Sequence, residues 1–136
     1  MAQSKEIKFA IWLPEKYNFD PSSPTVRLRR LNLRKPLRSL GILADIIYRY
    51  EDLCNFDHIM MTHFDKEIVD QCHILRKQGK KLYFDHSEHL WLPYQGEVFN
   101  LCDYIVCCSR KLAELTQVNL TSAFTKCIVI EDMAET

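Results

Sequence analysis

Phe84-Asp85-His86-Ser87-Glu88-His89 places four proton-carrying or metal-capable side chains within six residues. A carboxylate beside an imidazole can serve as a general base, because the carboxylate fixes the ring's tautomer and orientation. Asp85, His86 and Glu88 are therefore the candidate catalytic groups. The plainer alternative is that a strand ends here in polar residues that cap the next segment and face water. A metal is a sharper alternative, with His86 and His89 joined by His63 and an acidic residue. Zinc asks for three or four ligands in tetrahedral order, and this spacing matches no known cage. A metal-dependent hydrolase is accordingly the weakest of these readings, and no metal is assigned.

A second chemistry-bearing stretch is "SSPTVRLRRLNLRKPLR" (22–38), with six basic residues and no acidic one. On a helix, Arg27, Arg30, Arg34 and Arg38 fall along one side. Arg27 lies near the start of that helix, and both helix N-termini and guanidinium forks suit phosphate. Arg27 and Arg30 are therefore candidate ligands for a phosphate or another acidic group. Arg34, Lys35 and Arg38 read as a solvated basic face. Cys107-Cys108 closes an apolar run. Neighbouring strand residues face opposite ways, so the pair reads as buried thiols and not a chelate. Trp12, Trp91, Tyr94 and Phe99 could line an acceptor pocket; Trp12 reads more readily as core, and Trp91 and Tyr94 could instead form an exposed patch.

Absent motifs narrow the field. With only three glycines (41, 79 and 96), the chain has neither a GxGxxG fingerprint nor a P-loop. Eighteen basic and eighteen acidic residues cancel, so there is no global pull towards nucleic acid or an anionic membrane. Six cysteines without a CxxC pair, and a start without a long apolar core, are expected of a cytoplasmic protein with free thiols. No apolar run is long enough to cross a bilayer as a helix.

The elements that must position these groups alternate. "IKFAIWL" (7–13), "ILADIIY" (42–48), "DHIMMT" (57–62), "KLYFD" (81–85), "DYIVCCS" (103–109) and "KCIVI" (126–130) read as six strands. Most are continuously apolar, as strands covered on both faces are. Helix patterns fill the gaps: 25–40; 64–78, with Phe64, Ile68, Cys72 and Leu75 as its stripe and Gly79 closing it; 93–102; and 109–118, with Ser109 as N-cap. The 48–57 connection has room for a single turn. The expected fold is α/β, a three-layer Rossmann-like domain with a mostly parallel sheet of about six strands. At 136 residues the chain suits one domain, 1–136, that buries roughly two-thirds of its surface. Ligands of such sheets bind beyond the carboxyl ends of the strands. That rule selects loops 14–25, 62–64, 85–92 and 108–110, which adds His63 and Ser109 to the candidate ligand-binding residues.

The order "AIWLPE", "SPTVRLRRLNLRKPLRSLG", "FDHIMMTHFD", "LRKQGKKLYFDHSE", "CDYIVCCSRKLAEL", "KCIVIEDMAE" resembles the N-terminal, acceptor-side half of two-domain glycosyltransferases of the GT-B architecture. The resemblance covers nearly the whole chain, and its individual motifs are loose. It implies that Thr25 and Arg27 of "SPTVR" and the Asp85–Glu88 loop line the cleft, that the ligands of a complete enzyme are a nucleotide-sugar and its acceptor, and that no metal or other cofactor is needed. The glycine-rich loop of many relatives is missing, as is the pair of glutamates separated by seven residues that belongs to the donor domain. The expectation is thus half a cleft, inactive alone, that needs a C-terminal donor domain or a partner chain for sugar transfer. The alternative on the same fold is a non-catalytic protein-interaction module.

Overall fold

The computed structural model describes residues 7–17, 42–86, 93–107, 109–119 and 127–129. The expected 25–40 helix lies outside them. Six strands are present: β1 (Ile7–Trp12), β2 (Ile42–Ile47), β3 (His58–Met61), β4 (Lys81–His86), β5 (Tyr104–Cys107) and β6 (Cys127–Val129). All pair in parallel, in the order β2-β1-β3-β4-β5-β6. The chain is an α/β domain of the Rossmann-like three-layer class. Its strand order steps outward from β1 to β2, then crosses back over β1 to β3 and proceeds one way to β6. Strand order therefore reverses beside β1, and there the loops leaving β1 and β3 part.

Continuous apolar strands serve two faces at once. Ala10, Trp12, Ile59, Met61, Leu82, Phe84, Ile105 and Cys107 point to the larger core. There they meet Ile68, Val69, Cys72 and Leu75 of α1 (Lys66–Lys77), Val98 and Phe99 of α2 (Gln95–Leu101), and Leu112 and Ala113 of α3 (Arg110–Asn119). Ile11 and Leu13, with Phe9 and Ile46 against them, face the other way. The short β2–β3 connection holds a 3₁₀ turn, Tyr50–Asn55, whose Leu53 is wholly buried in the larger core. Among the described residues no helix is long and apolar enough to cross a membrane.

Caps set the helix bounds. Asp65 Oδ1 accepts from the Ile68 N–H at 2.8 Å, so α1 starts at Lys66 and leaves Phe64 outside the helix, packed on Phe84. At the far end Gly79 takes φ 81°, where any side chain would strain the backbone. Ser109 Oγ accepts from the Leu112 N–H at 3.1 Å, the expected cap of α3. α2 begins two residues later than Pro93, because Tyr94 adopts φ 69° and breaks the turn before it. β5 starts after Asp103, whose carboxylate accepts from the Leu82 N–H at 2.8 Å and ties β5 to β4.

Candidate functional site

The expected site residues divide. Thr25, Arg27, Arg30 and Glu88 lie outside the described residues, as do His89 and Trp91. Asp85 and His86 end β4 at the carboxyl rim, yet both are almost wholly buried, at 3% and 2% exposure. They are successive strand residues and so face opposite sides of the sheet. The His86 ring packs edge-on against Phe99 at 4.9 Å and Phe84 at 6.4 Å, on the helix-covered face. Ser109 uses its hydroxyl oxygen to cap α3. His63 stands in the loop after β3, on the rim beside the strand-order reversal. No group of three side chains able to hold a metal ion occurs among the described residues.

At that reversal the loops after β1 and β3 are braced together. β1 runs through Leu13 and Pro14 into a 3₁₀ turn, Glu15–Tyr17, anchored to the end of β2 by the Leu13 N–H on Ile47 O and the Glu15 N–H on Tyr48 O. The turn presents Lys16 and Tyr17 to the start of α1. The Tyr17 hydroxyl donates to Asp65 Oδ2, and the Lys16 ammonium lies 2.7 Å from the same oxygen and 3.0 Å from Glu67 Oε2. The His63 ring stacks on Tyr17 with centroids 4.2 Å apart. The Thr62 hydroxyl donates to Trp12 O at 3.0 Å, so its oxygen accepts from His63 Nδ1, also at 3.0 Å. A threonine has one hydroxyl hydrogen, and a neutral His63 therefore carries its proton on Nδ1.

Electrostatics hold this brace in one protonation state. Burial alone would raise the Asp65 carboxyl; hydrogen bonds from Lys16, Tyr17 and the Ile68 N–H outweigh it and keep the group below the usual carboxylate range. Burial alone would lower the Lys16 ammonium, but its bonds to Asp65 and Glu67 carry it to about 12. Burial, and then the Asp65 hydrogen bond, push the Tyr17 phenol up to about 12. At neutral pH Asp65 is an anion, Lys16 a cation and Tyr17 a neutral phenol. None of the three can shuttle a proton there; together they fix two loops in place.

On the helix-covered side of the brace lies an open pocket of about 180 Å³. Trp12, Tyr48 and Tyr50 supply aromatic wall, and Ile68 closes the floor towards α1. Glu15, Glu51, Glu67 and Gln71 supply acceptors, with Lys16 bound to Glu67. Trp12 and Tyr50 sit 5.9 Å apart, tilted by 46°. Burial raises the Tyr50 phenol, helped by Cys72 and Glu51, so it stays neutral. A larger shallow groove of about 570 Å³ runs along the opposite edge, among His58, Lys81, Tyr83 and Tyr104. That edge carries the strand starts, whereas ligands of parallel α/β sheets bind beyond the carboxyl ends, so size alone does not make it the site.

Sequence reasoning passed over Lys16 and Tyr17, and gave Asp65 and Glu67 no part in a site. The usable signal was the pairing of two loops, 14–25 and 62–64, by the position of their strands. No family model matches the chain, and no curated protein and no solved structure matches it significantly.

Proposed function

We propose that the chain is a glycosyltransferase-like acceptor-side domain, which requires a C-terminal donor domain or a partner chain to transfer sugar. The observation that carries this reading is the pocket at the strand-order reversal, where aromatic rings and carboxylates meet at the carboxyl rim of a parallel sheet. Such a lining suits a hydroxylated ring. Aromatic faces cover its C–H surface, while Glu15, Glu67 and Gln71 accept from its hydroxyls. A volume of about 180 Å³ admits one such ring and not an extended ligand. In this reading Asp85 and His86 support the rim from beneath, Arg27 and Arg30 serve an anionic portion of donor or acceptor, and His63 and the brace hold the two loops at a fixed spacing.

The test has two arms. Purified chain incubated with nucleotide-sugars and monosaccharide acceptors should give no transfer. In NMR titrations, monosaccharides should shift the amides of residues 13–17, 48–51 and 67–71. Robust transfer by the chain alone, or no amide response to any monosaccharide, would defeat the proposal.

A second reading, a protein-interaction module, is favoured by one observation. Tyr104 of β5 and Ile128 of β6 are 41% and 38% exposed on the same face of the sheet, opposite the face that α1, α2 and α3 cover. Under it, a Tyr104→Ser, Ile128→Ser variant would lose self-association or partner capture, and sugar titrations would stay silent.

A further inference from the structure

The pocket beside the brace carries a charge that a plain hydroxylated ring does not use. Among the described residues three carboxylates border it, Glu15, Glu51 and Glu67, against the one ammonium of Lys16. Adding the outlying charges of the described residues keeps the excess, since Asp65 binds Lys16 while Arg49 lies 3.6 Å from Glu51. Glu67 is engaged by Lys16 and by Gln71 at 3.4 Å. The Glu15 carboxylate has no partner among the described residues and stands exposed at the mouth. The aromatic walls add to the same field, because ring faces are electron-rich and attract cations.

An independent feature calls for the opposite kind of group. Trp12 is 2% exposed and forms part of the pocket wall, and its buried indole N–H finds no acceptor. A buried donor left unsatisfied is uncommon; this one lies beneath the pocket surface, so an oxygen reaches it only once the wall side chains give way. The occupant should therefore carry a cation for the carboxylates, an oxygen acceptor for Trp12, and an apolar face for Tyr48 and Tyr50.

Resting on the reading that this pocket receives the acceptor, we propose that its ligand is an amino sugar with an unmodified, protonated amine. The ammonium lies towards Glu15 and Glu67, and a ring or hydroxyl oxygen accepts from the Trp12 N–H. An N-acetylated sugar loses the charge and is discriminated against, and a neutral sugar lacks it altogether.

Glucosamine, N-acetylglucosamine and glucose serve as probes, titrated by NMR below the pKa of the glucosamine amine. The Trp12 indole signal is assigned with a Trp91→Phe variant. Glucosamine should shift the Trp12 indole N–H and bind at least ten-fold tighter than either neutral sugar, and added salt should narrow the gap. Glu15→Gln, an exposed change that keeps a side-chain oxygen as acceptor, should cut the glucosamine preference several-fold. Equal binding of all three sugars, or a preference that survives Glu15→Gln, overturns the charge inference and leaves the acceptor reading standing. Silence with all three overturns both. A Trp12 indole signal that does not move while glucosamine binds elsewhere overturns the placement.

Discussion

Asp65 joins three structural links, and its replacement separates them. Oδ1 caps α1 through the Ile68 N–H, while Oδ2 receives Tyr17 and Lys16. In Asp65→Ala all are lost. Removal of a cap costs about 1 kcal/mol, within a range of roughly 0.5–2. The ion pair is partly exposed, with side chains at 41% and 29%, so solvent limits it to roughly 0.2–1 kcal/mol. Asp65→Ala should therefore destabilise by about 1–3 kcal/mol. Asn caps as well as Asp, but its amide nitrogen stands where Oδ2 receives Tyr17 and Lys16, so Asp65→Asn should keep the cap and lose the links across the brace, roughly 0.2–1 kcal/mol for the ion pair. For a domain of this size each kcal/mol lowers Tm by about 3–5 °C. Urea unfolding of the three proteins measures the difference, and hydrogen exchange at the Ile68 amide locates it. The folded pKa of Asp65 is depressed, so its stabilising charge is in force above the unfolded value of about 3.9 and disappears as pH falls through the folded value. Asp65→Asn should flatten that acid limb. Equal losses for Ala and Asn would refute the cap, and a loss below about 0.5 kcal/mol for Ala would refute the whole account of the brace.

Three further outcomes are expected. Lys16 and Tyr17 both have folded pKa values raised to about 12, so the stability they lend is complete below their unfolded values and lost as pH climbs through about 12; thermal melts from pH 9 upward should show an alkaline limb that Tyr17→Phe reduces. Ser109→Ala removes the α3 cap and should cost about 1 kcal/mol in urea unfolding, without altering sugar titrations. Cys54 is exposed, whereas burial pushes the Cys72 thiol up to about 12 despite Arg76 nearby, so iodoacetamide at pH 8 should modify Cys54 first and spare Cys72 until the protein unfolds, as read by mass spectrometry.

The sheet was legible in the sequence because each strand is its own signal. A run such as "IKFAIWL" is apolar at both parities, and the structure spends both: Ala10 and Trp12 on one face, Ile11 and Leu13 on the other. Strand ends were less legible. "DYIVCCS" reads as strand from Asp103, but that carboxylate turns back to the Leu82 N–H, and Ser109 is taken by the following helix. Helix starts shifted for the same reason. Phe64 belongs to the apolar stripe by spacing, yet Asp65 caps behind it, so Phe64 reaches Phe84 from the loop. In each case a polar side chain bonded to a backbone N–H decided the boundary, and periodicity does not register such bonds.

The site was only half legible, and the reason is topological. Dense chemistry in "FDHSEH" drew attention to Asp85 and His86, but successive strand residues part to opposite faces, and these two are buried at a strand end in the middle of the sheet. The brace at the reversal is made from residues that look ordinary where they stand: Lys16 and Tyr17 in a short turn, Asp65 and Glu67 in a helix start. They meet across 48 to 51 positions because β3 is laid against β1, on the side opposite β2. Continuous apolar runs show that strands exist; they carry no information on which strand neighbours which. A loop pair at a strand-order reversal becomes visible only when that order is known, and a charged residue on such a loop then gains a partner that composition and spacing cannot supply. The same logic separates the two halves of the pocket: Trp12 reads more readily as core in the sequence, and only the adjacency of β2 and β1 brings Tyr48, Tyr50 and Glu51 to the wall beside it.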